Sequence, residues 1–83
     1  MTGAEFRKKY VSFKDDTFRY MLLSRMKADC DYYLGYGNRC KKHLWAGDPA
    51  DHIEFMKILW GSLPEEPEWL TLEQIEKYKT EMV

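Results

Sequence analysis

The feature that most constrains the fold is a stretch of nineteen residues, 16–34, that contains neither glycine nor proline. Its apolar residues recur at the three- and four-residue spacing of a helix face, and Asp15 or Asp16 is available as a capping residue. Gly35 and Gly37 follow it, and glycine commonly ends a helix because it adopts left-handed dihedral angles without strain. We therefore predict one long amphipathic helix over this stretch.

Seven apolar residues of this helix fall within an arc of about 160° when residues are placed 100° apart, the width of an ordinary core-facing side. They are Phe18, Leu22, Leu23, Met26, Cys30, Tyr33 and Leu34. Arg25 and Asp29 lie one turn apart beside this face, and their spacing predicts an ion pair.

A second helix is predicted where Asp48 and Pro49 combine a capping carboxylate with a proline suited to the first helical position. We expect it to end at Trp60, before Gly61. Its apolar residues spread over about 220°, more than one neighbouring helix would cover. This helix is therefore either central in the domain or partly an interface.

Capping boxes predict the helices nearest the two ends of the chain. Thr71 and Gln74 have the required spacing at the start of a helix that continues to about Met82. Thr2 and Glu5 have the same spacing before a short helix, whose apolar face would consist of Phe6, Tyr10 and Phe13.

The fold class follows from these elements, because no segment alternates apolar and polar residues as a half-buried strand does. A chain of 83 residues has room for one core. Residues 35–47 contain three glycines and are predicted to form a loop that Leu44 and Trp45 anchor on that core. We predict a small all-α domain of three to four helices, with 1–14 as an N-terminal segment and 15–83 as the helical domain.

Neither a membrane span of about 18 apolar residues nor the apolar segment of a signal peptide is found. We therefore expect a cytoplasmic protein in which Cys30 and Cys40 are reduced thiols. Charge is divided along the chain: residues 1–47 carry ten Lys and Arg against five acids, and residues 48–83 carry three against nine. This division favours either attraction between two halves of one domain or two surfaces of opposite charge.

Residues that could support metal binding or catalysis do not form a recognised pattern. Cys40 and His43 are one close pair of ligand types, whereas structural zinc sites normally show two such pairs. No nucleophile motif surrounds the serines or cysteines, and the clustered glutamates flank prolines in a connector. We expect no enzymatic activity, no metal and no cofactor.

Residues 33–45 interleave basic and aromatic side chains without matching a phosphate-binding motif. Within this segment, the residues predicted to contact a partner are Tyr36, Arg39, Lys41 and Lys42.

Aromatic and methionine residues are enriched at protein interfaces, and the second predicted helix supplies several of them. Phe55 and Ile58 are predicted to join Tyr36 in an apolar interface, whereas Trp60 and Trp69 are predicted core residues. An acidic candidate surface, which could imitate nucleic acid toward a basic enzyme, is formed by Glu65, Glu66 and Glu68.

Several segments resemble a known family: Tyr-Tyr-Leu-Gly-Tyr-Gly-Asn at 32–38, Leu-Trp-Ala-Gly at 44–47 and Glu-Trp-Leu-Thr at 68–71. They are similar to the large polyvalent-protein-associated domains, most closely the eleventh of that series, over about residues 15–80. The resemblance implies an accessory domain of phages and conjugative elements, mostly of bacteria of the Firmicutes type. It provides no catalytic residues to assign in this chain.

We therefore expect a non-enzymatic accessory protein of a phage or conjugative element that binds another macromolecule, foremost a protein. Inhibition of a host nucleic-acid-dependent defence enzyme, in the manner of an anti-CRISPR protein, is expected by association alone. The alternative is a small nucleic-acid-binding module that uses residues 33–45.

Overall fold

A computed structural model describes residues 1–12, 14–36 and 38–83 of the chain. Four α-helices lie in these ranges, and none of the described residues forms a β-strand, so the predicted all-α class is confirmed. The helices are α1 (Gly3–Tyr10), α2 (Asp16–Gly35), α3 (Pro49–Ser62) and α4 (Leu72–Met82). A turn of 3-10 helix, Lys41–His43, lies between α2 and α3. The parts of the prediction that concern Phe13 and Gly37 fall outside the described residues.

Each helix begins where local capping chemistry predicts. The side-chain oxygen of the residue before the helix accepts a hydrogen bond from a backbone N–H of the first turn, an arrangement that stabilises a helix by about 1 kcal/mol. The capping boxes of α1 and α4 are complete, with Glu5 and Gln74 bonding back to the capping residue. The four capping residues are Thr2, Asp15, Asp48 and Thr71.

The helices end later than the glycines predict. Gly61 lies inside α3, which continues to Ser62 and stops because Leu63, the residue before a proline, adopts extended dihedral angles. At the end of α2, Gly35 is still helical and Tyr36 keeps right-handed dihedral angles. In the loop that follows, Asn38 and Arg39 adopt left-handed dihedral angles, with φ values of 51° and 57°, and so does Gly47, with a φ of 76°.

Helix α3 is the central element, because α1, α2 and α4 all pack against it. This position explains the wide apolar arc of α3 and corrects the expectation that Phe55 serves an interface. The Phe55 side chain is 2% exposed and stacks on Phe6 of α1, with ring centroids 4.4 Å apart. Ile58 is half-buried on the core, and its side chain lies close to Gly3 of α1.

The loop between α2 and α3 is anchored on the core, as its apolar residues predict. Leu44 is buried, and the backbone N–H of Trp45 donates a hydrogen bond to the Asp29 carboxylate at 3.0 Å. The Trp45 ring meets those of Phe6 and Tyr10 edge to face. These contacts place the loop against both α1 and α2.

Three hydrogen bonds from side chains to backbone carbonyls tie the end of α3 and the connector that follows it to the rest of the domain. Arg19 Nη1 donates to the Ser62 carbonyl at 2.9 Å, and the Tyr20 hydroxyl donates to that of Glu65 at 3.0 Å. The Trp60 indole N–H donates to the Leu70 carbonyl at 3.1 Å. Trp69, predicted to lie in the core, is instead 41% exposed, because the buried residues of this stretch are Pro67 and Leu70.

Candidate interaction surface

The solvent-facing side of α2 carries exposed apolar side chains beside the face that packs on the core. Met21 is 66% exposed and Tyr36 is 86% exposed, with Tyr32 between them also exposed. These residues share one side of the helix with Arg25 and Ala28, at successive spacings of four, three, four and four residues. We call these five residues the α2 face, which is about 22 Å long at 1.5 Å per residue.

A basic turn adjoins the C-terminal half of this face. The turn consists of Lys41, Lys42 and His43, all exposed, and is held there by an edge-to-face contact between the rings of His43 and Tyr32, whose centroids are 4.8 Å apart. Neither lysine takes part in the ion pairs found in the described part of the chain. Those pairs join Arg19 to Asp16, Arg25 to Asp29, Lys27 to Asp31 and Lys57 to Glu76.

Arg39 links the loop to α4 and lies in a strained backbone. Its Nη1 donates to the Glu81 carbonyl at 2.6 Å, and its backbone N–H donates to the Tyr33 carbonyl at 3.1 Å. A residue with a β-carbon that adopts positive φ stores strain of about 1 kcal/mol or more, and such strain is found preferentially at functional sites. Asn38 and Arg39 both carry it, between the exposed Tyr36 ring and the basic turn.

The acidic side chains of α2 are already engaged by neighbouring groups. Asp29 accepts from the Trp45 backbone and lies 3.9 Å from the Arg25 Nε, while Asp31 pairs with Lys27 and accepts a hydrogen bond from the Tyr78 hydroxyl. Burial, together with that bond to a carboxylate, raises the pKa of Tyr78, so its phenol stays protonated and donates. The lysines of the basic turn are thus left without an acidic partner from α2.

The structure separates the basic candidates from the acidic ones. Glu65, Glu66 and Glu68 are exposed on the connector, which Arg19 and Tyr20 hold near the N-terminal end of α2. The basic turn contacts the C-terminal half of the same helix, and sixteen residues from Tyr20 to Tyr36 span about 24 Å. The two charged candidates therefore belong to different surfaces.

Sequence reasoning missed Met21 and Tyr32, since it considered α2 for its core face only. A signal was available: once the core face is assigned, Met21, Ala28 and Tyr32 remain as apolar residues outside it at helical spacing. An amphipathic helix with apolar residues on both sides has one side left for another partner.

The thiols and imidazoles do not converge on a reactive site. Cys30 is fully buried, its sulfur lies 3.5 Å from that of Met56, and burial, with the nearby charge of Asp31, raises its pKa to about 12, which keeps the thiol protonated. Cys40 is half-buried. Within 1–12, 14–36 and 38–83 no group of three or more His, Cys, Asp and Glu side chains is arranged to hold a metal ion.

His52 serves the packing of the loop. It is fully buried, its Nε2–H donates to the Met26 carbonyl at 2.9 Å, and its Nδ1 accepts from the Ala46 N–H at 3.5 Å. Burial lowers the pKa of His52, and the neutral ring satisfies both bonds. The imidazole therefore joins α2, the loop and α3.

None of the helices in the described part of the chain is long and apolar enough to cross a membrane.

Comparison with known proteins places the chain in a family. Searches of curated proteins and of solved structures gave no match. The family model described as Large polyvalent protein-associated domain 11 matches residues 5–82, nearly the whole chain, in agreement with the resemblance of its motifs. The chain therefore belongs to the Large polyvalent protein-associated domain 11 family.

Proposed function

We propose that this polyvalent-protein-associated accessory domain is a non-enzymatic binding module, and that its α2 face docks another protein. The observation that carries the proposal is the exposure of Met21, Tyr32 and Tyr36 along one side of a helix whose other side is fully used by the core. Exposed apolar residues that line up on one element mark interaction surfaces far more often than scattered ones do.

The chemistry of the surface suggests the kind of partner. Basic side chains border the apolar residues at two points: Arg25 within the α2 face, and Lys41 and Lys42 in the basic turn. The α2 face, about 22 Å long and apolar except for Arg25, suits the apolar side of another helix, which packs along it by interlocking side chains. We therefore propose an amphipathic helix with acidic flanks as the occupant.

Mobile elements give this proposal a biological setting. We propose that the domain acts for a phage or conjugative element, and that its partner is a component of a host nucleic-acid-dependent defence enzyme. Such an inhibitor needs no chemistry of its own, which agrees with the protonated Cys30 thiol and the buried, doubly bonded His52 ring. The defence assignment rests on association and has its own test, which is protection of phage from an active defence system by the wild-type domain.

A nucleic-acid-binding module is the second candidate, and one observation favours it. The Tyr36 ring is almost fully exposed beside Lys41 and Lys42, and exposed aromatics flanked by cations stack single-stranded bases and contact phosphates. Met21, at the far end of the α2 face, contributes nothing to such binding. Protein binding needs the whole face, whereas nucleic-acid binding needs only its C-terminal end.

The experiment that tests the proposal begins with capture of partners by the domain from a host lysate and identification of the captured protein. Its affinity is then measured by calorimetry with purified components, for wild type and for the double variant Met21→Ser, Tyr36→Ala. We expect the variant to lose at least about tenfold in affinity, since interface anchors typically cost more than 1 kcal/mol when truncated.

The matched control is Leu72→Ser, which removes another exposed apolar side chain, on α4, with a similarly small effect on stability. This variant should bind as the wild type does. Loss of affinity in Leu72→Ser together with full affinity in the double variant would contradict the proposal. Salt-sensitive binding of a single-stranded oligonucleotide, abolished by Lys41→Ala with Lys42→Ala, would establish the second candidate instead.

A further inference from the structure

A cleft with a volume of about 310 Å³ lies where α1, the loop and the first turn of α3 meet. It is separate from the α2 face and shares no residue with it. Its lining consists of Met1, Tyr10, Trp45, Ala46, Asp51 and Phe55.

Two aromatic rings form adjoining walls of this cleft. The rings of Tyr10 and Trp45 have centroids 4.9 Å apart and planes at 83°, so their faces point in perpendicular directions. Both side chains are half-buried, which leaves part of each accessible from the cleft. The face of an aromatic ring carries negative electrostatic potential and attracts cations.

The Tyr10 ring has a lysine ammonium group of the same chain near it. The Lys9 ammonium nitrogen lies 5.6 Å from the centroid of the Tyr10 ring, within the range of cation–π attraction. Lys9 is itself exposed and does not line the cleft.

A carboxylate completes the lining. Asp51 lies in the first turn of α3, where its backbone N–H is bonded to the capping carboxylate of Asp48 and its position is fixed by the helix. Its side chain takes part in no ion pair or side-chain hydrogen bond among the described residues. The cleft thus presents a negative charge that the described residues leave unpaired, next to two perpendicular rings.

We propose that this cleft binds an organic ammonium cation, with Tyr10 and Trp45 contacting the cation through their rings and Asp51 supplying the opposite charge. Quaternary or methylated ammonium groups suit such a site, because they gain cation–π attraction and lose less hydration than a compact ammonium does. The cation is either a free small molecule or the methylated side chain of a lysine on another protein. This assignment is independent of the α2 face.

The test compares choline with 3,3-dimethyl-1-butanol, which has the same shape and no charge. Each is titrated into isotope-labelled domain while the indole N–H signals of the three tryptophans are followed by nuclear magnetic resonance. We expect choline to shift the Trp45 signal with saturation, and the neutral analogue to bind about tenfold more weakly. Trp60 and Trp69 do not line the cleft and serve as internal controls.

Variants separate the charge from the rings. Asp51→Asn keeps the shape of the side chain and should weaken choline binding by about tenfold, whereas Glu54→Gln, which removes a charge from the same helix outside the cleft, should not change it. Tyr10→Phe should retain binding and Tyr10→Leu should lose it, with the folded state of each checked by circular dichroism.

A further titration with an Nε-trimethyllysine peptide and its unmethylated form distinguishes the two sources of the cation. Tighter binding of the methylated peptide than of choline assigns the site to a protein side chain, and the reverse assigns it to a free molecule. Equal binding of choline and its neutral analogue, equal effects of Asp51→Asn and Glu54→Gln, or no saturable shift of the Trp45 signal would overturn the proposal.

Discussion

Truncation of Phe55 separates a core role for this residue from an interface role. The side chain is 2% exposed, stacks on Phe6 with an angle of 3° between ring planes, and lies on the helix that all the others contact. Phe→Ala at such a position costs about 3–5 kcal/mol, which includes the cavity that is left and the loss of an aromatic pair. A domain of 83 residues has a free energy of unfolding of roughly 4–12 kcal/mol, so Phe55→Ala should remove a large part of it.

Urea denaturation followed by circular dichroism measures this loss, with Tyr36→Ala as the matched control. Tyr36 is exposed whereas Phe55 is buried. Truncation of Tyr36 should therefore change the free energy of unfolding by no more than about 0.5 kcal/mol. A loss below about 1 kcal/mol in Phe55→Ala, with an unchanged dependence on urea, would refute the packing of α1 on α3 described above.

Three further predictions concern stability. Leu22→Asp should abolish the cooperative thermal transition, because it places an unpaired charge in the core; a normal melting curve would contradict the burial of Leu22. Since burial lowers the pKa of His52, the unfolded chain takes up the proton first as pH falls below about 6.5, and the free energy of unfolding should drop by up to about 1.4 kcal/mol per pH unit. Urea titrations at several pH values should show this dependence in His43→Gln and a smaller one in His52→Gln. Asn38→Ala should cost about 1 kcal/mol through its positive φ, whereas Asn38→Gly should not.

The starts of the helices could be predicted from the sequence because capping is local. Asp48 and Thr71 each bond to an N–H three residues away, so the residues that decide the helix start are neighbours in the chain. The helix ends were less predictable, since Gly61 is tolerated within α3 and the proline after Leu63 determines where that helix stops.

Whether a given side of a helix faces the core or the solvent depends on which elements pack together. The sequence predicted this less well than it predicted the helix starts. The apolar arc of α3 allowed Phe55 to be either core or interface, and only the position of α1 decides between them. Trp69 is apolar enough for the core, yet Pro67 and Leu70 occupy the buried positions of the connector. The sequence places Asp51 three residues after the capping residue Asp48, but its position beside Tyr10 and Trp45 depends on the fold of the loop.

A map of amide chemical-shift changes on adding the identified partner tests directly whether the α2 face docks a protein helix. We expect the largest changes at the residues of the α2 face, which are Met21, Arg25, Ala28, Tyr32 and Tyr36, and smaller changes in the turn 41–43. Changes concentrated in the connector at 63–69, with the α2 face unaffected, would contradict it.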